Sequence, residues 1–225
     1  MSLPLRVCFT FLIVALLGVI ACNANSNERS SPVPNPAVDA TLATTKSAQT
    51  VVISGGCFWG IQAVFQHVKG VISATSGYSG GAANTAEYEL VSNGDTGHAE
   101  SVKITYDPSQ ITYGQLLRVF FSVAHDPTEL NRQGPDTGSQ YRSSIFYASD
   151  EQKRIADAYI VQLDKAKVFP RPIVTQVVPL KAFYPAEAYH QDYAAHHPNN
   201  PYIVYNDAPK VANLQHEFPD LYTGK

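Results

Sequence analysis

The stretch from Val51 to Val68 reads VVISGGCFWGIQAVFQHV and joins two patterns of hydrophobicity at a single cysteine. Its first residues, Val51 to Ile53, are β-branched and predict a short strand, which the glycine pair before Cys57 ends. After Cys57 the apolar residues recur at intervals of three or four, the spacing of one face of a helix. We therefore predict that Cys57 lies where a strand passes into the first turn of a helix.

The rest of the chain alternates between strand and helix patterns, with one hairpin-like unit interrupting the alternation. Ala99–Tyr106 is the clearest strand, because its residues alternate strictly between two faces. Thr112 and Ser149 each stand three residues before a glutamine, and this capping-box pattern predicts a helix after each. The order of elements favours a two-layer α+β sheet over a doubly wound one. Further predictions are strands within residues 70–77, 141–147 and 173–180 and a short helix within 186–196. After Pro201 we predict an irregular tail that ends in a last turn.

The first residues of the chain have the pattern of a secretion signal. Residues 7–21 form an apolar run of about fifteen residues, shorter than the roughly twenty that a transmembrane helix needs. The run ends Val-Ile-Ala before Cys22 and resembles a bacterial lipobox, whose cysteine is lipidated and becomes the first residue of the mature chain. We predict a lipoprotein signal peptide over residues 1–21 and lipidation of Cys22. The alternative is ordinary cleavage that leaves Cys22 a free thiol.

A lipid on Cys22 would make the protein membrane-anchored rather than membrane-spanning. We expect it in the bacterial cell envelope on the periplasmic side, and Asn23 favours the outer membrane by analogy. Residues 22–48 are rich in Asn, Ser, Thr, Ala and Pro and predict a flexible tether. The folded domain is therefore expected over residues 49–225.

The composition excludes several classes of protein. A hydrophobic content of 44% supports a packed core, and a net charge of −3 without a basic cluster argues against a nucleic-acid surface. Three cysteines without a C-x-x-C pair are too few for a disulfide scaffold. The seven histidines are scattered and form no H-E-x-x-H motif, so we predict no metal site.

Cys57 carries the strongest chemical signal. A thiol at a helix N-terminus lies near the positive end of the helix dipole and near unpaired backbone N–H groups. Both favour the thiolate, so we expect the pKa of Cys57 to lie below about 8.5. The alternative is a buried structural cysteine, with Trp59 as an ordinary core residue.

Glu100 carries the second signal. Strand alternation puts its carboxyl group on the same face as Val102, Ile104 and Tyr106, where it is costly to bury and tends to take up a proton. A neutral carboxylic acid beside a thiol can donate a proton to a substrate oxygen. The alternative is that Glu100 pairs with a basic residue or lies at the rim of the sheet.

The segments around these two residues resemble a known family. Residues 55–60, which read GGCFWG, are similar to the active-site motif of the class A peptide methionine sulfoxide reductases. Other segments follow in the order of that family, and the resemblance covers essentially residues 50–225. They are 77–81, Tyr88, 94–100, 106–108, 125–127, 136–143, 183–191 and 218–222.

The resemblance implies a role for individual residues. Cys57 would be the nucleophile that attacks the sulfoxide sulfur, and protonated Glu100 would bind and protonate the sulfoxide oxygen. Tyr88 and Tyr141 would hydrogen-bond the same oxygen, and Asp136 would order the polar end of the pocket through water. The product on the enzyme would be a cysteine sulfenic acid.

The resemblance also implies a substrate pocket, a fold and the absence of a bound cofactor. Phe58 and Trp59 would form the apolar pocket for the S-methyl group, and the family acts on the S epimer of the sulfoxide. The family fold is similar to a two-layer ferredoxin-like α/β plait, an α+β fold with a mixed sheet and long loops.

Two departures from the family pattern matter. Many relatives have a glutamate two residues after the last glycine of the motif, where this chain has Gln62. Many also carry resolving cysteines near the C-terminus, whereas no cysteine follows Cys57 here. The sulfenic acid therefore cannot be resolved within the domain, unless Cys22 stays unlipidated and its tether reaches back. The expected reductant is an external thiol: a thioredoxin-like protein, a glutaredoxin-like protein or a small thiol.

The leading hypothesis is a lipoprotein-type, single-cysteine methionine sulfoxide reductase that repairs oxidised envelope proteins. Its expected partners are proteins that carry methionine sulfoxide and a thioredoxin-like reductant. We expect a monomer that contacts the membrane through its lipid anchor only and binds no nucleic acid. Two alternatives are a thiol peroxidase and a non-catalytic sulfoxide-binding lipoprotein, which would have lost Cys57 or Glu100.

Overall fold

The structure is a computed structural model that describes residues 32–224. Its strands are β1 (Gln49–Ser54), β2 (Val71–Ser79), β3 (Ala99–Tyr106), β4 (Arg132–Gln133), β5 (Asp136–Thr137), β6 (Ser144–Tyr147), β7 (Gln176–Pro179) and β8 (Phe183–Pro185). Its α-helices are α1 (Phe58–Gln66), α2 (Tyr88–Val91), α3 (Tyr113–Val119), α4 (Asp150–Lys165), α5 (Tyr193–His196) and α6 (Ala208–Glu217). Shorter 3-10 turns are Ala83–Thr85, Ser139–Tyr141 and Ala188–His190, and π-helical turns are Phe120–Ala124 and Ile203–Asp207. No helix of this described part is both long and apolar enough to cross a bilayer.

Six of the strands form one mixed sheet in the order β7-β6-β1-β3-β2-β8. Neighbouring strands are antiparallel except for β6 and β7, which are parallel. Ile53 of β1 pairs with Val102 of β3 on one side and with Ile145 of β6 on the other. The predicted combination of α and β elements around a mixed sheet is confirmed.

One face of this sheet carries the main hydrophobic core. Val102 and Ile104 alternate along β3, are fully buried, and join Phe65 of α1 and Leu116 of α3 in one apolar cluster. Burial of each such side chain contributes about 1.5–3 kcal/mol. Because α1 packs across β2 and β3, its position relative to these strands is set by the same contacts.

Both predicted capping residues begin a helix. Thr112 and Gln115 form a reciprocal capping box at the start of α3. Ser149 accepts a hydrogen bond from the N–H of Gln152 at the start of α4. Caps of this kind stabilise a helix by about 1 kcal/mol and explain why both helix starts were predictable locally.

The residues before β1 differ from the predicted flexible tether over 22–48. Val33 is buried, and its carbonyl oxygen accepts a hydrogen bond from Nε of Arg118. The carboxylate of Asp39 accepts hydrogen bonds from the N–H of Gly114 and the hydroxyl of Thr112 at the start of α3. These contacts bind residues 33–39 to the domain despite their tether-like composition, while the remainder of the prediction up to residue 31 lies outside the described residues.

The last part of the chain also departs from the prediction. The helix predicted within residues 186–196 is interrupted at Asp192, whose φ of 56° lies in the left-handed region. The tail after Pro201, predicted to be irregular up to a last turn, forms the π-helical turn Ile203–Asp207 and the ten-residue helix α6. Both contact α1, so this tail borders the helix that begins after Cys57.

Candidate active site

Cys57 occupies the N-cap of α1, at the predicted junction of strand and helix. It is buried and is the free thiol of the residues that the structure describes. The chain reaches it through Gly56, whose φ of 95° favours glycine. A Cβ at Gly56 would also lie 2.5 Å from Cγ of Gln133, so the approach leaves no room for a side chain.

Cys57 opens into a cavity of ≈ 210 Å³. The walls come from elements that are distant in sequence: the start of α1, α2, β3, β5, the turn Ser139–Tyr141 and the tail. The lining residues are Cys57, Phe58, Trp59, Tyr88, Glu100, Asp136, Tyr141 and Tyr202. The structure thus brings together all seven predicted catalytic and substrate-binding residues, with one tyrosine that sequence reasoning missed. Cys22, the predicted lipidation site, lies outside the described residues.

Glu100 reaches the cavity from the strand face that alternation predicts. Its side chain is 3% exposed, and its Oε2 accepts a hydrogen bond of 3.0 Å from the N–H of Phe58. Burial and the nearby carboxylate of Asp136 raise the pKa of Glu100 from 4.5 to about 8, although the N–H of Phe58 acts in the opposite direction. Glu100 is therefore mostly protonated at neutral pH.

The expected lowering of the pKa of Cys57 is wrong. Burial raises the pKa of the thiol well above its usual value, and the carboxylates of Glu100 and Asp207 raise it further. The N–H of Trp59 and the ammonium group of Lys210 favour the thiolate but are outweighed. A helix terminus carries only about half a unit charge, whereas full burial can shift a pKa by about 3–5 units. Protonation of Glu100 removes its share of the opposition, so the acid and the thiolate are compatible as a pair.

The indole of Trp59 forms a rigid wall of the cavity. It stacks on Tyr193 with ring centroids 3.8 Å apart and an interplanar angle of 9°. Its Nε1–H donates a hydrogen bond of 3.2 Å to Nδ1 of His190. Burial lowers the pKa of His190, so the imidazole stays neutral and can accept this bond. The wall is thus held by a stacking contact and a directional hydrogen bond.

Tyr202 is the lining residue that sequence reasoning missed. Its hydroxyl donates a hydrogen bond to Oδ2 of Asp136, so Asp136 is bound directly by a neighbouring side chain. Its ring also meets Trp59 edge-on, with an interplanar angle of 86°. The only signal in the sequence was an aromatic residue in a polar, proline-containing tail, and this pattern does not locate a residue in space.

Glu187 supports the cavity from behind. Its carboxylate accepts hydrogen bonds from the N–H of Tyr88 (2.9 Å) and the hydroxyl of Tyr78 (2.8 Å). This contact fixes the start of α2, where Tyr88 enters the cavity. Burial raises the pKa values of the Tyr88 and Tyr141 hydroxyls, so both are neutral hydrogen-bond donors at neutral pH.

Gln62, the departure from the family motif, lies outside the cavity and is 2% exposed. Its amide donates hydrogen bonds to the carbonyl of Ala74 and to Oε1 of Gln191. Its carbonyl oxygen accepts hydrogen bonds from the hydroxyl of Ser76 and the N–H of Asp192. The four bonds satisfy the side chain and join α1 to β2 and the segment before α5 without a buried charge.

The cavity combines a nucleophilic sulfur, a protonated carboxyl group and neutral phenol donors. Such a set can attack an electrophilic atom while a proton is delivered to its oxygen. No three His, Cys, Asp or Glu side chains within residues 32–224 are grouped so that they could hold a metal ion. The thiol, the protonated carboxyl group and the phenol donors that share this cavity support reduction of an oxygen-bearing centre by thiol chemistry.

Known proteins share this arrangement of sequence and fold. The family described as "Peptide methionine sulfoxide reductase" matches residues 49–221. The peptide methionine sulfoxide reductase MsrA 2 of Mesorhizobium japonicum is 65% identical over 178 residues, which cover 79% of this chain and 91% of that protein. The reduced form of Mxr1 from Saccharomyces cerevisiae has a TM-score of 0.61 and 31% identity, covering 71% of this chain and 94% of that one. Methionine sulfoxide reductase A of Corynebacterium diphtheriae has a TM-score of 0.59 and 35% identity, covering 76% and 86%. The chain belongs to the class A peptide methionine sulfoxide reductase family and is an oxidoreductase that reduces methionine sulfoxide at the expense of thiols.

Proposed function

We propose that Cys57 attacks the sulfur of a methionine S-sulfoxide while Glu100 gives its proton to the sulfoxide oxygen. The observation that carries the proposal is the buried, protonated carboxyl group of Glu100 in the same cavity as the thiol of Cys57. A sulfoxide oxygen is a poor leaving group and needs a proton as the sulfur is attacked. The hydrogen bond between Glu100 and the N–H of Phe58 holds the acid next to the residue that follows the nucleophile.

The step balances as an oxygen transfer between two sulfur atoms. The attack forms a bond between the sulfur of Cys57 and the substrate sulfur while the proton of Glu100 moves to the sulfoxide oxygen. The hydroxyl group then passes to the sulfur of Cys57, so that the sulfur–sulfur bond and the S–O bond of the substrate both break. The proton given up by the thiol returns Glu100 to its acid form. The substrate sulfur is reduced by two electrons to a thioether, and the sulfur of Cys57 is oxidised to a sulfenic acid.

The other cavity residues orient the substrate in this proposal. The neutral hydroxyls of Tyr88 and Tyr141 donate hydrogen bonds to the sulfoxide oxygen, and Phe58 and Trp59 pack against the S-methyl group. Support comes from the fixed indole plane of Trp59 and from the polar and apolar groups that share one small cavity. Because oxygen and methyl contacts are distinct, one epimer fits, and the family resemblance assigns it as S.

Turnover with separated S and R epimers of N-acetyl-methionine sulfoxide tests the reaction. With dithiothreitol as reductant, we expect the mature chain to reduce the S epimer alone, and Cys57→Ser to reduce neither. Equal rates with both epimers would contradict the proposed orientation. A rate with hydrogen peroxide above the rate with the S epimer would favour the thiol peroxidase.

We also propose that the sulfenic acid is reduced by an external thiol, with a thioredoxin-like protein favoured over a glutaredoxin-like protein or a small thiol. Within residues 32–224, Cys57 is the one cysteine, which supports the need for a thiol from another molecule. One thiol of a dithiol attacks the sulfur of Cys57 and releases water, and the second breaks the mixed disulfide. Steady-state rates with thioredoxin, with glutaredoxin and with glutathione, each with its own reducing system, distinguish these reductants.

The cellular setting is a further proposal. We propose a monomer anchored by a lipid on Cys22 in the bacterial envelope, facing the periplasm, where it repairs oxidised proteins. The signal-like run and the lipobox support the anchor, and the length of the apolar run fits a signal peptide better than a membrane-spanning helix. From Cys22 to the buried Val33 is eleven residues, which span at most about 40 Å. Incorporation of labelled palmitate into wild type, but not into Cys22→Ser, would support the anchor.

We further propose that the core has the topology of a ferredoxin-like plait. Supporting this, β1, α1, β2, β3, α3 and β6 follow one another in the chain as principal elements. Their four strands are neighbours in the order β6-β1-β3-β2, with antiparallel pairing throughout.

A further inference from the structure

Asp207 and Lys210 form an ion pair behind the first turn of α1. Nζ of Lys210 lies 3.0 Å from Oδ1 of Asp207, and the two residues are three positions apart at the start of α6. Asp207 is fully buried, and its other oxygen, Oδ2, has no hydrogen-bond partner among the described residues. Buried ion pairs are costly to desolvate, so a contribution to stability alone does not explain this pair.

The pair rests directly on the helix that begins after Cys57. A Cβ at Gly60 would collide with Oδ1 of Asp207 and would lie 2.8 Å from Nζ of Lys210. The N-cap residue and the third residue of a helix lie close together, as the capping box shows. Cys57 is the N-cap of α1 and Gly60 is its third residue, so both charges lie at the end of α1 that carries the sulfur.

Three charged groups of the described residues shift the pKa of the Cys57 thiol. The carboxylates of Glu100 and Asp207 raise it, and the ammonium group of Lys210 lowers it. Its side chain is 17% exposed, so solvent screens its charge only in part.

Other titratable groups surround the same site without supplying a second cation. Asp136 of β5 is a further carboxyl group, and its pKa is raised by burial. The tyrosines of the cavity, Tyr88, Tyr141 and Tyr202, have pKa values raised chiefly by burial and are neutral. Burial lowers the pKa of His190, which contacts Trp59 and the ring of Phe58, and lowers that of His125, which lies against Gly55, to about 4.

We propose that Lys210, held in place by Asp207, is a positioning residue that stabilises the thiolate of Cys57 as it attacks the sulfoxide. The carboxylate of Asp207 has two opposed effects, because it fixes the ammonium group and also repels the thiolate. The pair therefore sets the electrostatic potential at the sulfur. Removal of the positive charge of Lys210 should raise the pH at which Cys57 titrates, and removal of the negative charge of Asp207 should lower it.

The test is the pH dependence of alkylation of Cys57 by iodoacetamide, followed by mass spectrometry of its peptide in the full chain. Lys210→Met should move the midpoint of the profile upwards, by about one pH unit if the ammonium acts across about 4–6 Å. Asp207→Asn should move it downwards, because the repulsion by Asp207 outweighs the opposing effect of Lys210 even if the ammonium group is no longer held in place. The double variant should lie between the two. Lys210→Arg should restore the profile, because it keeps the positive charge.

Lys153→Met is the matched control, since it removes a lysine from an exposed Lys–Asp pair on α4. A profile for Lys210→Met that coincides with this control overturns the proposal. So do shifts of Lys210→Met and Asp207→Asn in the same direction, which a merely structural role would produce. If Lys210→Met fails to fold, Lys210→Gln and Asp207→Asn decide the question by the same opposite shifts.

Discussion

Replacement of Glu100 by glutamine should lower activity and raise stability at the same time. Glu100→Gln keeps the size of the side chain and an oxygen that can accept the hydrogen bond from the N–H of Phe58. It removes the acidic proton, which is mostly present at pH 7 because the pKa of Glu100 is about 8. Loss of a general acid lowers a rate by about 10²–10⁴-fold, and we expect a loss of this size in the reductase step.

The effect on stability follows from the raised pKa. Below pH 4.5 both the folded and the unfolded protein hold the proton of Glu100, and its contribution to stability is complete. Between pH 4.5 and about 8 only the folded protein holds it, so the free energy of unfolding falls as the pH rises. This interval of 3.5 units, from 4.5 to 8, corresponds to about 5 kcal/mol at about 1.4 kcal/mol per unit. Glutamine does not titrate, so the variant should become more stable than wild type by up to that amount.

Two measurements check both parts. Formation of methionine in a single turnover without reductant should be about 10²–10⁴-fold slower in Glu100→Gln than in wild type at pH 7. Urea unfolding at pH 5 and pH 8 should show a difference between the variant and wild type that grows with pH. Glu151→Gln makes the same chemical change at an exposed position of α4 and serves as the control. A variant rate within tenfold of wild type at pH 7, or a constant stability difference, would refute the reasoning.

Three further substitutions test the supports of the site. Asp39→Ala leaves the hydroxyl of Thr112 and the N–H of Gly114 without their acceptor. The free energy of unfolding measured in urea should fall by about 1–3 kcal/mol. An unchanged value would mean that residues 33–39 are not bound to the domain in solution. His190→Leu removes the acceptor for the Nε1–H group of Trp59. The factor by which KM rises should be about three to ten times the factor by which kcat falls, and His190→Asn should restore both constants. Equal effects of the two variants would contradict this role. Gly56→Ala should lower the free energy of unfolding by about 1–3 kcal/mol, because φ of Gly56 is 95° and a Cβ there has no room. Gly134→Ala, with open space around its Cβ, should lower it less in the same chemical unfolding experiment. The reverse order would argue against the close contact between Gly56 and Gln133.

Much of the local structure was predictable because it depends on neighbouring residues. The junction at Cys57, the alternation of β3 and the caps at Thr112 and Ser149 each follow from a short run of sequence. The interruption of the predicted helix at Asp192 was not predictable in this way. Its left-handed backbone accompanies a hydrogen bond from its N–H to Gln62, which is 130 residues away in the chain.

The candidate site divides along the same line. Family resemblance placed seven residues in one pocket by their motifs, and the structure brings those side chains together. Tyr202, Asp207 and Lys210 lie in a tail without a recognisable sequence pattern, so their places near the cavity were not predictable. These places follow from the packing of the turn Ile203–Asp207 and of α6 against α1. Residues 33–39 were missed because a polar composition does not reveal a single buried valine, Val33.

The sequence by itself determined the strand–helix unit that carries Cys57, and it predicted Cys57 as the nucleophile and Glu100 as the acid, since residue type and spacing are local properties. The tertiary structure decided how these groups titrate. The helix terminus favours a thiolate at Cys57, but burial and the carboxylates of Glu100 and Asp207 raise its pKa. Desolvation and Coulomb interactions depend on distances through space, and the chain sets these distances only when it has folded.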